Sequence, residues 1–226
     1  FFTRYANMSE QKAQQQEDKG TPKIILGSME FGRRLNEQES QEVMTLFLKS
    51  EEQTNKSKEI DSAYMYQGGK TETYMGKANK SILQPNGALI ASKAMPNYKH
   101  GLSDQGIREQ LQTSLSRLQC KSIDLFYLHW PDHKVNIEES LKTVNELYKA
   151  GKFKRFGLSN YASWQVAEIY YLCDKHGYVK PSVYQGMYNC ITRAVEDELF
   201  PCLRRFGIAF YAYNPLAGGL LAGKHK

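Results

Sequence analysis

Residues 123–133, IDLFYLHWPDH, open with apolar side chains at Ile123, Leu125, Phe126, Tyr127 and Leu128, and Pro131 stops the run. A strand buried on both faces has this near-continuous pattern, whereas a half-exposed strand alternates. Short runs of similar character recur at 23–27, 59–66, 88–94, 153–160, 182–188 and 208–216. Helical spacing fills most of the gaps. Ser40 is the expected cap of a helix over 40–50 with Val43, Leu46 and Phe47 inward, and Ser103 or Asp104 starts a second with Ile107, Leu111, Leu115 and Leu118 on one face. Asn136 begins a capping-box pattern ahead of Leu141, Val144, Leu147 and Tyr148, and glycines at 151, 177 and 207 end three helices.

A strand and a helix repeating every ~30 residues call for parallel strands joined by right-handed crossovers. Either a doubly wound sheet or a (β/α)8 barrel meets that demand. No GxGxxG follows the first strand, where a dinucleotide-binding doubly wound sheet places it. Polar groups instead mark the end of nearly every strand: Asp61, Lys93, His129, Ser159, Asn160, Gln185, Tyr213 and Asn214. Contributions from so many strand ends favour a barrel, whose C-terminal rim gathers them. The expected fold is an α/β (β/α)8 TIM barrel, with about seven of its eight strands in this chain.

Composition narrows the setting. A chain of 226 residues with 41% hydrophobic content can bury one sizeable core. Residues 1–22 form an expected disordered tail, with Met8 the expected natural start, and residues 23–226 form the barrel domain, incomplete at its C-terminus. No apolar run approaches the ~18 residues of a membrane span, and no secretion signal opens the chain. Four cysteines without a CxxC pair suit a reducing, cytoplasmic compartment. The net charge of +6 comes from scattered Lys and Arg, so neither a nucleic acid nor a membrane is an expected partner.

The strand ends carry a chemical kit. Reducing a carbonyl by hydride transfer develops an alkoxide, which needs a proton and a stabilising field. Tyr66 can supply the proton, Lys93 beside it favours the phenolate and lowers the phenol pKa, and Asp61 keeps Lys93 charged and aimed. His129 can orient the carbonyl oxygen through a hydrogen bond. Each residue also has a structural reading: an ion pair for Asp61 and Lys93, a core histidine for His129, and one tyrosine among fifteen for Tyr66. His129 and His133 have the HxxxH spacing of a zinc site, but Pro131 lies between them on a strand end, so no metal is expected. Gly69-Lys70-Thr71 lacks the earlier glycine of a P-loop. Ser159, Asn160 and Gln185 offer carboxamide partners, Tyr213 a stacking face, and residues 214–219 (NPLAGG) backbone amides for a pyrophosphate.

The segments IDSAYMY, ASKA, SIDLFYLHWPDH, GLSNY, YQGMYN and FYAYNPLAGGLLAGK strongly resemble those of the aldo-keto reductases, in order, from about Lys23 to Lys226. LGSMEFGRR and NPLAGGLL are most similar to the aflatoxin-aldehyde reductase branch. The resemblance implies NADPH as hydride donor and reduction of aldehydes, including succinic semialdehyde and dialdehydes, in a detoxifying role. It implies Tyr66 as proton donor, tuned by Asp61 and Lys93, with His129 orienting the carbonyl. It implies Ser159, Asn160, Gln185 and Tyr213 around the nicotinamide, Asn214, Leu216 and Gly218 along the cofactor, and Met65 at the substrate pocket. A small-molecule aldehyde is the expected partner, and a homodimer is compatible with the pattern. The segment 51–58 (EEQTNKSK) reads as a tolerated insertion. The chain stops before the family's eighth strand, which implies truncation at Lys226, an inactive fragment, and 2′-phosphate contacts beyond it. The alternative is a catalytically weak cofactor-binding regulator, as in the potassium-channel β-subunits that share the fold.

Overall fold

The computed structural model describes residues 22–50 and 58–223. The expected tail over 1–22 and the insertion over 51–58 therefore fall, apart from Pro22 and Lys58, outside the described residues. Among the described residues seven strands alternate with six α-helices: β1 Leu26–Gly27, α1 Glu37–Lys49, β2 Glu59–Asp61, α2 Lys70–Ala78, β3 Leu89–Ala94, α3 Asp104–Arg117 and β4 Ile123–Leu128. Then follow α4 Ile137–Lys149, β5 Phe153–Ser159, α5 Ser163–His176, β6 Pro181–Met187, α6 Leu199–Phe206 and β7 Ala209–Tyr213.

All neighbouring strands pair in parallel, in the order β1 to β7. A doubly wound sheet must reverse its order at a switch point, so the unbroken order decides for the barrel topology. The sheet curls far enough for β2 to meet β6 and β7 side chain to side chain: Gln185 Nε2 donates to Asp61 Oδ1 at 2.9 Å, and Tyr211 Oη to Glu59 Oε2 at 3.3 Å.

The curled interior is layered. At its floor, Glu59 Oε2 accepts from Lys23 Nζ at 2.8 Å and Arg155 Nη2 at 3.0 Å as well as from Tyr211. Above it, Ala91, Leu125, Tyr127 and Val183 form a small apolar cluster. At the mouth stand Asp61, Lys93, His129, Ser159 and Gln185, all buried. Along β4 the alternate residues Phe126 and Leu128 belong to the larger core cluster, together with residues of the helices. Burial of both faces explains the unbroken apolar pattern of this strand.

Several boundaries differ from the sequence reading. Asn36, not Ser40, caps α1: its Oδ1 accepts from the Glu39 amide at 3.0 Å, and Glu39 Oε2 accepts from the Asn36 amide at 2.7 Å. Starting a turn earlier makes Ser40, Met44 and Leu48 the buried face and leaves Leu46 exposed. Helix α2 escaped notice because its nine residues, KTETYMGKA, carry a short and mostly polar pattern. Helix α6 begins at Leu199, after a 3₁₀ turn over Ala194–Glu196, and ends at the expected glycine, Gly207. Strand β7 ends at Tyr213 because Asn214 takes a left-handed φ of 58°. Strand β2 is shorter than expected, which matters for the site.

Candidate active site

After Asp61 the chain keeps two ladder-like contacts with β3, Ser62 N to Ala91 O at 2.9 Å and Tyr64 N to Lys93 O at 3.1 Å. It then turns, with Tyr66 N donating to Ala63 O at 3.1 Å, and Tyr66 opens a 3₁₀ turn over Tyr66–Gly69. Tyr66 therefore sits on a turn above the strand end and not in the strand. That placement returns its hydroxyl toward Lys93.

Lys93, near the end of β3, is 1% exposed and uses its three ammonium donors on three acceptors. They are Asp61 Oδ2 at 2.6 Å, the Ser62 carbonyl at 2.6 Å and Tyr66 Oη at 3.5 Å, the last at the long limit of a hydrogen bond. The ammonium also lies 5.1 Å from the Tyr66 ring centroid and 5.5 Å from that of Tyr127. Burial works against its charge, but the Asp61 carboxylate and the Tyr66 hydroxyl together outweigh burial, so the Lys93 pKa is raised. Lys93 is held as a cation.

The Tyr66 pKa runs against the sequence expectation. Burial raises it, and although the Lys93 ammonium lowers it, the net direction is up. The phenol thus keeps its proton, and the ammonium partly offsets the cost of a buried phenolate.

His129 follows the last residue of β4, with its amide donating to Ala94 O at 2.8 Å. Its ring packs edge-on to Tyr66 at 6.0 Å between centroids and stacks on Trp130 at 3.8 Å. Burial and then the Lys93 charge push its pKa down to about 2, so the imidazole is neutral. Nδ1 is buried and has no hydrogen-bond partner among the described residues. Asp61, Tyr66, Lys93 and His129 are thus brought together, Asp61, Lys93 and His129 from strand ends and Tyr66 from the turn that follows β2.

The expected cofactor residues divide into two groups. Asn160, at a left-handed φ of 62°, donates to His129 O and Ser159 Oγ, both at 3.0 Å, and accepts from Tyr213 Oη at 2.9 Å. Gln185 spends its amide hydrogen on Asp61, while its oxygen takes no protein donor among the described residues. Ser159, Asn160 and Tyr213 thus form one hydrogen-bonded group on the rim, and Gln185 joins Asp61 separately. Farther out, Asn214 Oδ1 accepts from Gly218 N at 2.7 Å, and its carbonyl from Asn189 Nδ2 at 3.1 Å. Among the described residues nothing stands within 4 Å of where a Cβ on Gly218 or Gly219 would project. Leu216 and Met65 are exposed at 54% and 38%, Met65 one residue before Tyr66.

Sequence reasoning missed the groups behind this front. Glu72 and Arg117 form an ion pair at 3.1 Å behind the Tyr66 turn. The only hint was an arginine ending an amphipathic helix. Among the described residues no group of three His, Cys, Asp or Glu is arranged to hold a metal ion, all four cysteines are free thiols, and no helix is long and apolar enough to cross a membrane.

The Aldo/keto reductase family model matches residues 23–226. Aldo-keto reductase family 7 member A3 of Homo sapiens is 50% identical over 206 residues, which cover 91% of this chain and 61% of the relative. Aflatoxin B1 aldehyde reductase member 2 of Homo sapiens is 50% identical over 203 residues, covering 89% of this chain and 55% of the relative. The chain thus spans about three fifths of these curated relatives' length, 61% and 55%. Among solved structures, the holo form of aldo-keto reductase AKR11C1 from Bacillus halodurans matches with a TM-score of 0.74 at 25% identity, covering 90% of this chain and 65% of that one. With a family match that takes in every strand and helix, and half of all aligned positions shared with these relatives, the chain belongs to the aldo/keto reductase family.

Proposed function

We propose that this protein reduces aldehydes to alcohols with NADPH, with Tyr66 as proton donor. The observation that carries the reading is the buried Lys93 ammonium, held 2.6 Å from Asp61 and 3.5 Å from the Tyr66 hydroxyl, beside a neutral His129. When bound, the nicotinamide supplies a hydride.

The chain's own residues do the rest. A neutral imidazole carries one N–H, and His129 offers it to the carbonyl oxygen. Tyr66, kept protonated by burial, passes its hydroxyl proton to that oxygen as negative charge develops. Lys93 stabilises the phenolate left behind, and Asp61 keeps Lys93 charged throughout. Because the ammonium is already oriented by three acceptors, little reorganisation accompanies the transfer.

The cradle suits a nicotinamide dinucleotide. The Ser159 hydroxyl and the free Gln185 oxygen supply a donor and an acceptor for a carboxamide, Tyr213 supplies a ring face, and Asn214, Leu216 and Gly218 line an open approach. Met65 borders the same mouth and belongs to the aldehyde pocket. The names of the relatives, which include an aflatoxin B1 aldehyde reductase, support aldehydes as the substrate class.

Tyr66→Phe is the direct test. Turnover of succinic semialdehyde with NADPH should fall about 10²–10⁴-fold, while NADPH still quenches tryptophan fluorescence with unchanged affinity. Retained turnover in this variant would overturn Tyr66 as the proton donor.

A further inference from the structure

Behind the Tyr66 turn, that turn and α2 converge on one arginine of α3, and β3 joins them through Glu72. Arg117, the last residue of α3, donates from Nη1 to the Tyr64 carbonyl at 2.9 Å and to Glu72 Oε2 at 3.1 Å. Its guanidinium lies 4.6 Å from the centroid of the Tyr64 ring. Glu72, on α2, is 0% exposed, and its other oxygen accepts from Ser92 Oγ at 2.6 Å. Ser92 directly precedes Lys93, and the Tyr64 amide is bound to the Lys93 carbonyl. Tyr64 is two residues before Tyr66. The chain of contacts therefore runs from the strand bearing Lys93, through Glu72 and Arg117, to the turn bearing Tyr66.

The arginine is closely packed on one side. A Cβ on Gly69, whose φ is +93°, would stand 2.3 Å from Arg117 Cζ, and one on Gly76 would stand 1.9 Å from the Arg117 carbonyl oxygen. Both glycines belong to the segment that continues from Tyr66 into α2. One close approach, a ring contact and two charge-assisted hydrogen bonds hold the guanidinium, and the second close approach fixes the backbone that carries it, which is more than a surface ion pair requires.

We infer that Arg117, locked by Glu72, is a positioning residue: it sets the distance between the Tyr66 hydroxyl and the Lys93 ammonium. The inference rests on the reading of Tyr66 as proton donor and goes beyond it, because neither Arg117 nor Glu72 touches the reacting groups. The Lys93–Tyr66 contact is long and lies at the end of a short turn, so small shifts of that turn weigh heavily. Misplacement by about 1 Å from a remote change can cost on the order of 100-fold in rate.

Steady-state kinetics on Arg117→Met, Arg117→Lys and Ser92→Ala, with NADPH and succinic semialdehyde, test this. Arg117→Met should lower kcat about 100-fold and Arg117→Lys about 10-fold, with KM and NADPH affinity within about threefold of the parent. Because Lys93 lowers the Tyr66 pKa, a displaced turn should also move the alkaline limb of the kcat profile upward. Ser92→Ala releases one oxygen of Glu72 without touching the ion pair, so it serves even if the arginine variants do not fold; it should lower kcat about 3-fold. A kcat within twofold of the parent with an unmoved limb in the folded variants would overturn the inference. So would a rate loss matched by equal losses of NADPH affinity and thermal stability. If the full-length parent itself shows no turnover, the functional reading fails separately, and 3-fluorotyrosine placed at position 66 still decides the inference. Its ¹⁹F titration should shift upward in the Arg117 or Ser92 variant, and an unmoved titration would overturn it.

Discussion

Gly157 and Tyr127 are a fitted pair on adjacent strands: a Cβ on Gly157 would stand 2.4 Å from Cδ1 of the tyrosine ring. The ring crosses β5 in the space that a side chain would otherwise fill, and it lies beneath the Lys93 ammonium at 5.5 Å. The glycine therefore acts on the site through the aromatic side chain it admits. Gly157→Ala should destabilise the fold by about 1–3 kcal/mol, the usual cost of overpacking a rigid core. Urea denaturation reads this directly, and an unchanged midpoint would refute the fit.

The Asp61–Lys93 pair is buried, so removing one partner strands the other. Asp61→Asn should cost about 3–5 kcal/mol of stability, because the ammonium loses the carboxylate that holds it charged. The double variant Asp61→Leu/Lys93→Met should recover most of that loss. A double-mutant cycle by chemical denaturation measures the coupling, and additive single effects would count against a coupled pair. Since folding raises the Lys93 pKa above 10.5, the stabilisation from this group is fully present below that pH. It is lost only as pH climbs through the raised folded value.

His129 has the opposite dependence. Its pKa falls from 6.5 unfolded to about 2 folded, so between those values the unfolded chain binds the extra proton. Stability should therefore fall with pH below 6.5, by up to about 1.4 kcal/mol per pH unit from this group. His129→Gln should flatten that part of the acid limb. If denaturation midpoints of parent and variant keep the same slope between pH 6.5 and 4.5, the buried neutral imidazole is disproved.

At the barrel floor, Glu59 gathers three donors on Oε2, and its buried Oε1 has no partner among the described residues. Glu59→Gln keeps the shape and removes the charge, so stability should drop by roughly 2–4 kcal/mol. Tyr211→Phe, which deletes one neutral donor, should cost about 1 kcal/mol. Urea titrations of the two variants should preserve this ranking; equal midpoints would place the strength of the floor elsewhere.

Much of the fold was legible along the chain, because its signals are local. Two-sided burial makes β4 apolar throughout, and the glycines at 177 and 207 end their helices in left-handed conformations. Asp61, Lys93 and His129 stood out because ionisable groups closing apolar runs are costly unless they have partners. Local signals misled where they were duplicated or weak. Asn36 and Ser40 both suit a cap, and only the packing of Met44 and Leu48 selects the earlier one. Helix α2 lacks an apolar stripe long enough to be seen, and it owes its place to Glu72, Met75 and Gly76 packing inward.

The sequence by itself determined the order of strands and helices, the family resemblance and the residues at the strand ends. Those are properties of neighbouring positions. Only the tertiary structure decided how the sheet curls, bringing Gln185 to Asp61 across 124 residues and Arg155 to Glu59 across 96. It also decided the sign of the Tyr66 shift. Lys93 alone would lower that pKa, but burial is a property of everything packed around the turn, and here burial prevails. The same holds for Arg117, whose role depends on a carbonyl, a ring and a carboxylate that meet only after the chain has folded.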